Sequence, residues 1–209
     1  MSRRLAILGA GGHGKVVADT ALESGWDDLI FFDDGANAPR SVAGWPLAGG
    51  SDALRASLDG FTAVVVAIGH NRTRFAKTRE LVAAGATAAT LIHPRAYVAR
   101  DVRIGPGTVV LAGAVVQPGS SIGAAVIVNT GATVDHDCAL GDGVHVCPGA
   151  NVAGCVSVGE CAWLGIGSSV RQTLTIGADS VVGGGAAVVA AVADGTTVVG
   201  VPARPMKEG

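Results

Sequence analysis

Residues 122–146 read IGAAVIVNTGATVDHDCALGDGVHV, and within them Ile122, Val128, Val134, Leu140 and Val146 stand six apart. The series extends in both directions without a slip: Val98, Ile104, Val110 and Val116 precede it, and Val152, Val158, Leu164, Val170, Ile176, Val182 and Val188 follow. An aliphatic residue at every sixth position fits neither the 3.6-residue period of a helix nor the simple alternation of a flat strand. A chain that turns regularly enough to send every sixth side chain inward is a coiled parallel β-solenoid. Glycine carries a longer period, because Gly105, Gly123, Gly141, Gly159 and Gly177 each follow the aliphatic residue and lie 18 apart. Three hexapeptides therefore make one coil. The position two before the aliphatic residue is mostly small or β-branched (Thr108, Ala114, Ser120, Ala132, Cys138, Ala150), as a narrow interior requires. Five coils stacked about 4.8 Å apart make a rod of about 24 Å.

The first ninety residues lack this period and read as alternating strands and helices, an α/β unit. Strands are expected at Arg4 to Leu8, Leu29 to Asp33 and Thr62 to Ile68, with Ala89 to Ile92 leading into the solenoid. Helices are expected from about His13 to Ser24, closed by Gly25, and from Arg72 to Ala84, closed by Gly85. Residues 35–59 give no clear pattern. Gly9-Ala-Gly-Gly-His-Gly14 satisfies G-x-G-x-x-G between a strand and a helix, where backbone N–H groups hold phosphate. Asp33 and Asp34, about twenty residues on, are placed to accept hydrogen bonds from a ribose or a base. Ninety residues hold only half of a dinucleotide fold, so the reading is one nucleotide; the alternative is a structural glycine turn with a capping Asp.

Composition excludes several classes. The 32 glycines in 209 residues are about twice the usual share, yet 8 prolines and irregular short-range spacing exclude collagen. A net charge of −2 offers no basic footprint for nucleic acid and no polybasic membrane anchor. Mean hydropathy is +0.46, but no apolar run approaches the ~20 residues of a membrane span. Arg3 and Arg4 precede only four apolar residues, too few for a signal peptide. The expectation is a cytoplasmic protein whose four cysteines are reduced.

The repeats resemble those of hexapeptide acyltransferases. With Gly9-Ala-Gly-Gly-His-Gly14, Phe32-Asp-Asp34, Ala67-Ile-Gly69, Asn129-Thr130, Asp135-His-Asp137, Gly183-Gly-Gly185 and Gly200-Val-Pro-Ala-Arg204, the whole chain resembles bacterial nucleotide-sugar N-acetyltransferases of the PglD/NeuD type. The resemblance implies a half-Rossmann nucleotide-sugar-binding α/β domain at 1–91, a left-handed parallel β-helix acetyltransferase domain at 92–195 and a C-terminal tail at 196–209. It also implies a homotrimer with active sites between subunits. Solenoid faces rich in Val, Ala and Gly point the same way, since apolar surface of that kind favours association.

Transfer from a thioester to an amine needs a group that takes the amine's proton. By resemblance that base is His136, with Asp137 raising its proton affinity. Neighbours on a straight strand point apart, so the pair requires a corner or bulge. The bare alternative is a solvent-facing histidine. His145, half a coil further on, should project from another side of the rod; the resemblance gives it an acetyl-CoA contact, with Gly154, Ile166 and Gly184 lining the pantetheine path. Gly11, Gly12, His13, Asp33, Asp34, Gly69 and Asn129 are implied on the sugar-nucleotide side, and Arg204 is a candidate for CoA phosphates. No metal is expected, because Cys138 occupies an inward position and Cys147 follows inward Val146, so a His-x-Cys pairing does not converge. The implied reaction is acetyl-CoA-dependent N-acetylation of a nucleotide-linked 4-amino-4,6-dideoxysugar in surface-polysaccharide or glycan synthesis. Sugar O-acetylation of the sialic acid type and a non-catalytic nucleotide-binding scaffold are the alternatives.

Overall fold

The computed structural model describes residues 3–206 apart from Asn37 and Pro39; the end of the expected tail, 207–209, lies outside the described residues. Strand β1 (Arg4–Leu8) is fully buried from Leu5 onward and pairs in parallel with β2 (Asp28–Phe32) on one side. Such continuous apolar runs are typical of parallel strands covered on both faces. Helix α1 (Gly12–Glu23) buries Val17, Ala18 and Ala21, an apolar stripe at helical spacing, and Gly25 follows it at φ +82. Residues 35–59, which showed no pattern, contain a hairpin of β3 (Ser41–Val42) and β4 (Trp45–Pro46) and the short helix α2 (Ser51–Ala56). Two-residue strands are too short to display a period. Strand β5 (Ala63–Val66) pairs with the other side of β1, giving the order β2-β1-β5, and α3 (Asn71–Ala83) follows it.

From β6 (Leu91–Ile92) the chain winds into a left-handed parallel β-helix. From Leu91 to Val188 each strand pairs with the strand 18 residues away, as Val116 with Val134 and Val134 with Val152, and the spacing shortens to 16 where Val181 meets Thr197. Three ladders result. The first face carries Tyr97, Val115, Thr133, Asn151, Ser169 and Ala187 outward; the second carries Arg103, Ser121, Ala139, Ser157 and Thr175; the third runs from Leu91 through Val109, Ile127, His145, Trp163 and Val181 to Thr197. The aliphatic sixth residues from Val110 to Val188 fill the interior, and Val98 and Ile104 pack against its end. Arg204–Pro205 folds back antiparallel on Thr197–Val199 at the rod's far end.

Two separate demands explain the glycine content. A Cβ at Gly105, Gly141, Gly159 or Gly177 would collide with backbone of the next coil, as at Gly105, where it would lie 2.6 Å from Ala124 N. The second demand recurs every six residues at the corners, where φ is positive from Gly107 through Gly185. Glycine fills most of these corners, whereas Ala125, Asp137, Cys155, Cys161, Thr173 and Asp179 adopt the left-handed conformation despite having side chains.

The third face is where the two parts meet: Val109, Leu111 and Ile127 belong to the same buried cluster as Leu5, Ile7, Val17, Ala18 and Trp26. This corrects the expectation of three apolar outer faces. One apolar face is covered from within the chain, and the other two present mainly Ser, Thr, Asn and Ala. Among the described residues, no helix is long and apolar enough to cross a membrane.

Candidate active site

His136 and Asp137 occupy the corner between the first and second faces, after Thr133–Val134 and before Ala139–Leu140. The required corner exists because Asp137 takes the left-handed conformation, φ +57, a setting Asp tolerates better than most residues. Its Oδ2 lies 2.8 Å from His136 Nδ1, and the Asp135 carboxylate accepts the His136 backbone N–H at 2.8 Å. The hydrogen bond to Asp137, reinforced by the charges of both aspartates, holds the exposed His136 imidazole above its ordinary pKa. Nδ1–H donates to Asp137, so Nε2 is the atom left to take a proton. The ring lies over Gly154 one coil on, where a Cβ would come within 2.6 Å of Cε1 and Nε2, and the Gly154 N–H donates to no group among the described residues. Beside the dyad, the first face is a groove of about 390 Å³ lined by Gln117, Thr133, Asp135, Asn151, Ala153 and Ser169. Gly154 lies on one long edge of this face; Ile166, 64% exposed, and Gly184 lie together on the other.

His145 has a different setting. It points from the third face into the seam with the N-terminal unit, is 6% exposed, and its ring centroid lies 4.4 Å from Trp163 and 6.4 Å from His13 of the glycine loop. Asn129 Oδ1 accepts the Thr130 N–H, so Asn129 Nδ2 donates to His145 Nε2 at 3.0 Å and the proton of the neutral ring sits on Nδ1. Burial, with the nearby Arg74 charge, pushes His145 down to about 3 and His13 down to about 4. Both rings are therefore neutral near pH 7. His145 Nδ1 and His13 Nε2 are buried without a hydrogen-bond partner among the described residues.

In the glycine loop, Gly9 and Gly14 are demanded by packing: Gly9 has φ +120 and a Cβ there would lie 2.5 Å from Ala67 O, while one on Gly14 would meet Gly9 O. Gly11 and Gly12 face open space, at the uncapped start of α1. Asp33 accepts the Ala10 N–H at 2.6 Å and the Gly35 N–H at 2.7 Å, so its carboxylate shapes the loop. Asp34 accepts the Ser51 N–H at 2.6 Å, which holds its pKa below the ordinary value. Gly69 begins the turn before α3, next to a recess of about 280 Å³ lined by His70, Asn71, Trp163, Asp179 and Val181.

The residues read from the sequence fall into two groups. Asp135, His136, Asp137 and Gly154 share one edge of the rod; His13, Gly69, Asn129 and His145 gather at the third face, with Gly11, Gly12, Asp33 and Asp34 in the loop above. In a triangular cross-section the edge between the first and second faces lies opposite the third, so one chain holds its two groups apart. Arg204 is exposed at the far end of the rod. The potential metal donors that cluster among the described residues are His136, Asp137 and Cys155, within 4.8 Å of one another. Cys138 and Cys147 are buried thiols whose pKa burial raises, Cys147 to about 12. Arg74 and Trp163 escaped the sequence reading. The available signal for Arg74 was the stripe Asn71, Arg74 and Thr78, polar residues at helical spacing in line with Leu81, all of which prove buried.

Residues 4–81 match the PglD N-terminal domain family. The fold of the whole chain is shared with the acetyltransferase domain of PglB from Neisseria gonorrhoeae, at 45% identity and TM-score 0.94 over 98% of this chain and 100% of that one. It is shared also with a perosamine N-acetyltransferase from Caulobacter crescentus, solved with CoA and GDP-perosamine, at 40% identity and TM-score 0.93 over 98% of this chain and 97% of that one. WeeI from Acinetobacter baumannii is 26% identical with TM-score 0.81, covering 98% of this chain and 100% of that one. No curated protein matches the sequence.

Proposed function

Because this chain belongs to the bacterial hexapeptide-repeat nucleotide-sugar N-acetyltransferases of the PglD type and is an acetyltransferase, we propose that it moves the acetyl group of acetyl-CoA directly to the amine of a nucleotide-linked 4-amino-4,6-dideoxysugar. The observation that carries the reading is the His136–Asp137 pair on an exposed corner beside a bare Gly154. The neutral amine attacks the thioester carbon, and His136 Nε2 takes the proton as the C–N bond forms. The oxyanion is met by the Gly154 N–H, a type of contact worth about 3 kcal/mol in the transition state. As the C–S bond breaks, the imidazolium returns its proton to the sulfur and CoA leaves as the thiol. Asp137 keeps the ring oriented and stabilises its charged form.

The acetyl-CoA arm follows the first face, between Gly154 on one edge and Ile166 and Gly184 on the other. The sugar nucleotide is held by Gly11, Gly12 and the start of α1, where free N–H groups favour its phosphates. Neutral His13 offers a sugar hydroxyl a better partner than it offers phosphate. The acceptor loop and the base lie on opposite sides of one rod, so the working enzyme is a homotrimer in which one subunit's loop serves its neighbour's His136. His145, whose Nδ1–H is unpaired among the described residues, lies in the seam beside His13 of that loop. The reaction belongs to the cytoplasm, where acetyl-CoA is available, and prepares a sugar for surface glycan assembly.

Purified protein with acetyl-CoA should release CoA with 4-amino-4,6-dideoxysugar nucleotides, screened across uridine, thymidine and guanosine diphosphate carriers. Release with hydroxyl-bearing acceptors alone would establish O-acetylation instead. Binding of the nucleotide sugars with no CoA release from any acceptor would establish a scaffold.

A further inference from the structure

Arg74, in the first turn of α3, is 1% exposed and heads the fully buried side chains by size. A buried cation ordinarily has a carboxylate partner. Here the acceptors are all neutral. Nε donates to Ala125 O at 2.7 Å, Nη1 to Ile68 O and Gly69 O at 3.0 Å each, and Nη2 to Asn71 Oδ1 at 3.0 Å and Gly143 O at 2.7 Å. These contacts occupy all five N–H groups of the fork. Burial lowers its pKa to about 10, so the charge persists at neutral pH.

The acceptors fall into two sets, which Arg74 joins. Ala125 and Gly143 are left-handed corner residues one coil apart, and Asn71 reaches the next coil through Cys161 O and Ala162 O at 2.9 and 3.0 Å. Ile68 and Gly69 form the turn after β5, which continues from Ala67, the residue against which Gly9 of the glycine loop packs. We propose that Arg74 is the positioning residue of the acceptor side, fixing the Ile68–Gly69 turn and the glycine loop at one distance from His145 and the coils beneath. An apolar side chain of similar length would fill the space but take this donor from four backbone carbonyls, those of Ala125 and Gly143 buried and those of Ile68 and Gly69 half-buried. The guanidinium also sits close enough to His13 and His145 to disfavour their protonation. Burial is the larger cause of their neutrality, and the Arg74 charge adds to it.

The inference rests on the acetyl-transfer reading for its kinetic consequence and stands apart from it in its spectroscopic one. Arg74→Met removes charge and fork; Arg74→Lys keeps the charge and loses the fork. In ring-labelled NMR titrations, the His13 and His145 signals should move toward the ordinary histidine pKa in Arg74→Met and stay low in Arg74→Lys. Both variants should raise KM for the sugar nucleotide about ten- to hundredfold, as small misplacements do, with KM for acetyl-CoA within about twofold of wild type. Unmoved imidazoles in a folded Arg74→Met protein, or an unchanged sugar-nucleotide KM in either variant, would overturn the proposal. Should Arg74→Met fail to fold, Arg74→Lys decides it by KM. If wild type turns over no sugar nucleotide, the acetyl-transfer reading fails and the titrations alone decide whether Arg74 sets the histidine states.

Discussion

The solenoid and the N-terminal unit place their functional residues by different means. In the solenoid, position follows from counting: Asp137 lies beside Gly119 because they are 18 apart, and His136 lies against Gly154 for the same reason. In the N-terminal unit nothing repeats, and each placement is a separate tertiary contact, such as Asp33 holding the Ala10 N–H or Arg74 reaching corners 51 and 69 residues away. A repeating scaffold therefore makes the consequence of a substitution readable from its register. The non-repeating unit hides it until the packing is known.

The largest effect should come from the solenoid side. His136→Asn is expected to lower kcat by about 100- to 10,000-fold, the range for loss of a general base, with both KM values nearly unchanged in steady-state assays. A loss under tenfold would mean that water or another group takes the amine's proton. On the other side of the comparison, Asp33→Ala with Asp34→Ala should raise KM for the sugar nucleotide by about ten- to hundredfold, because the loop loses the Ala10 and Ser51 anchors, while KM for acetyl-CoA holds. Equal weakening of both substrates would show that the damage spreads past the loop and that the two regions are not separable.

Smaller effects sharpen the register argument. Gly154 has an ordinary φ, so Gly154→Ala should fold normally yet push the His136 ring aside and lower kcat about tenfold. Unaltered kcat in that variant would place the working ring elsewhere. The smallest change concerns pH. His136 acts as a base only when unprotonated and its pKa is raised, so wild-type kcat/KM should climb with pH through that raised value. Asp137→Asn removes the main cause of the elevation, and the limb should move to lower pH in the rate profile. A limb that stays in place would assign it to the substrate amine.

Much of the fold was legible because burial repeats: an interior that admits an aliphatic residue every six positions leaves the same trace sixteen times. The second glycine rule, positive φ at each corner, was harder to see, since Asp137, Cys155 and others accept the left-handed conformation without being glycine. His136 and Asp137 were legible as a pair only through the resemblance, and the corner explains how adjacent residues cooperate. The seam was not legible. That His145 is buried against the N-terminal unit, and that Arg74 organises it, depends on contacts between residues 51 to 132 positions apart, for which one sequence carries no period. Residues 35–59 stayed unread because their strands are two residues long.

The central claim is that one subunit's glycine loop serves its neighbour's His136, and mixed trimers test it directly. His136→Asn subunits and Asp33→Ala/Asp34→Ala subunits, carrying different tags, are combined and the mixed trimers isolated. They are assayed at a sugar-nucleotide concentration well below the raised KM of the loop variant, where each parent trimer is nearly silent. In a ring of heterologous interfaces, any two-to-one mixture contains one interface that joins an intact loop to an intact base, so about one third of wild-type activity should return. Mixed trimers as silent as their parents would contradict the shared site and place both halves of the chemistry within a single chain.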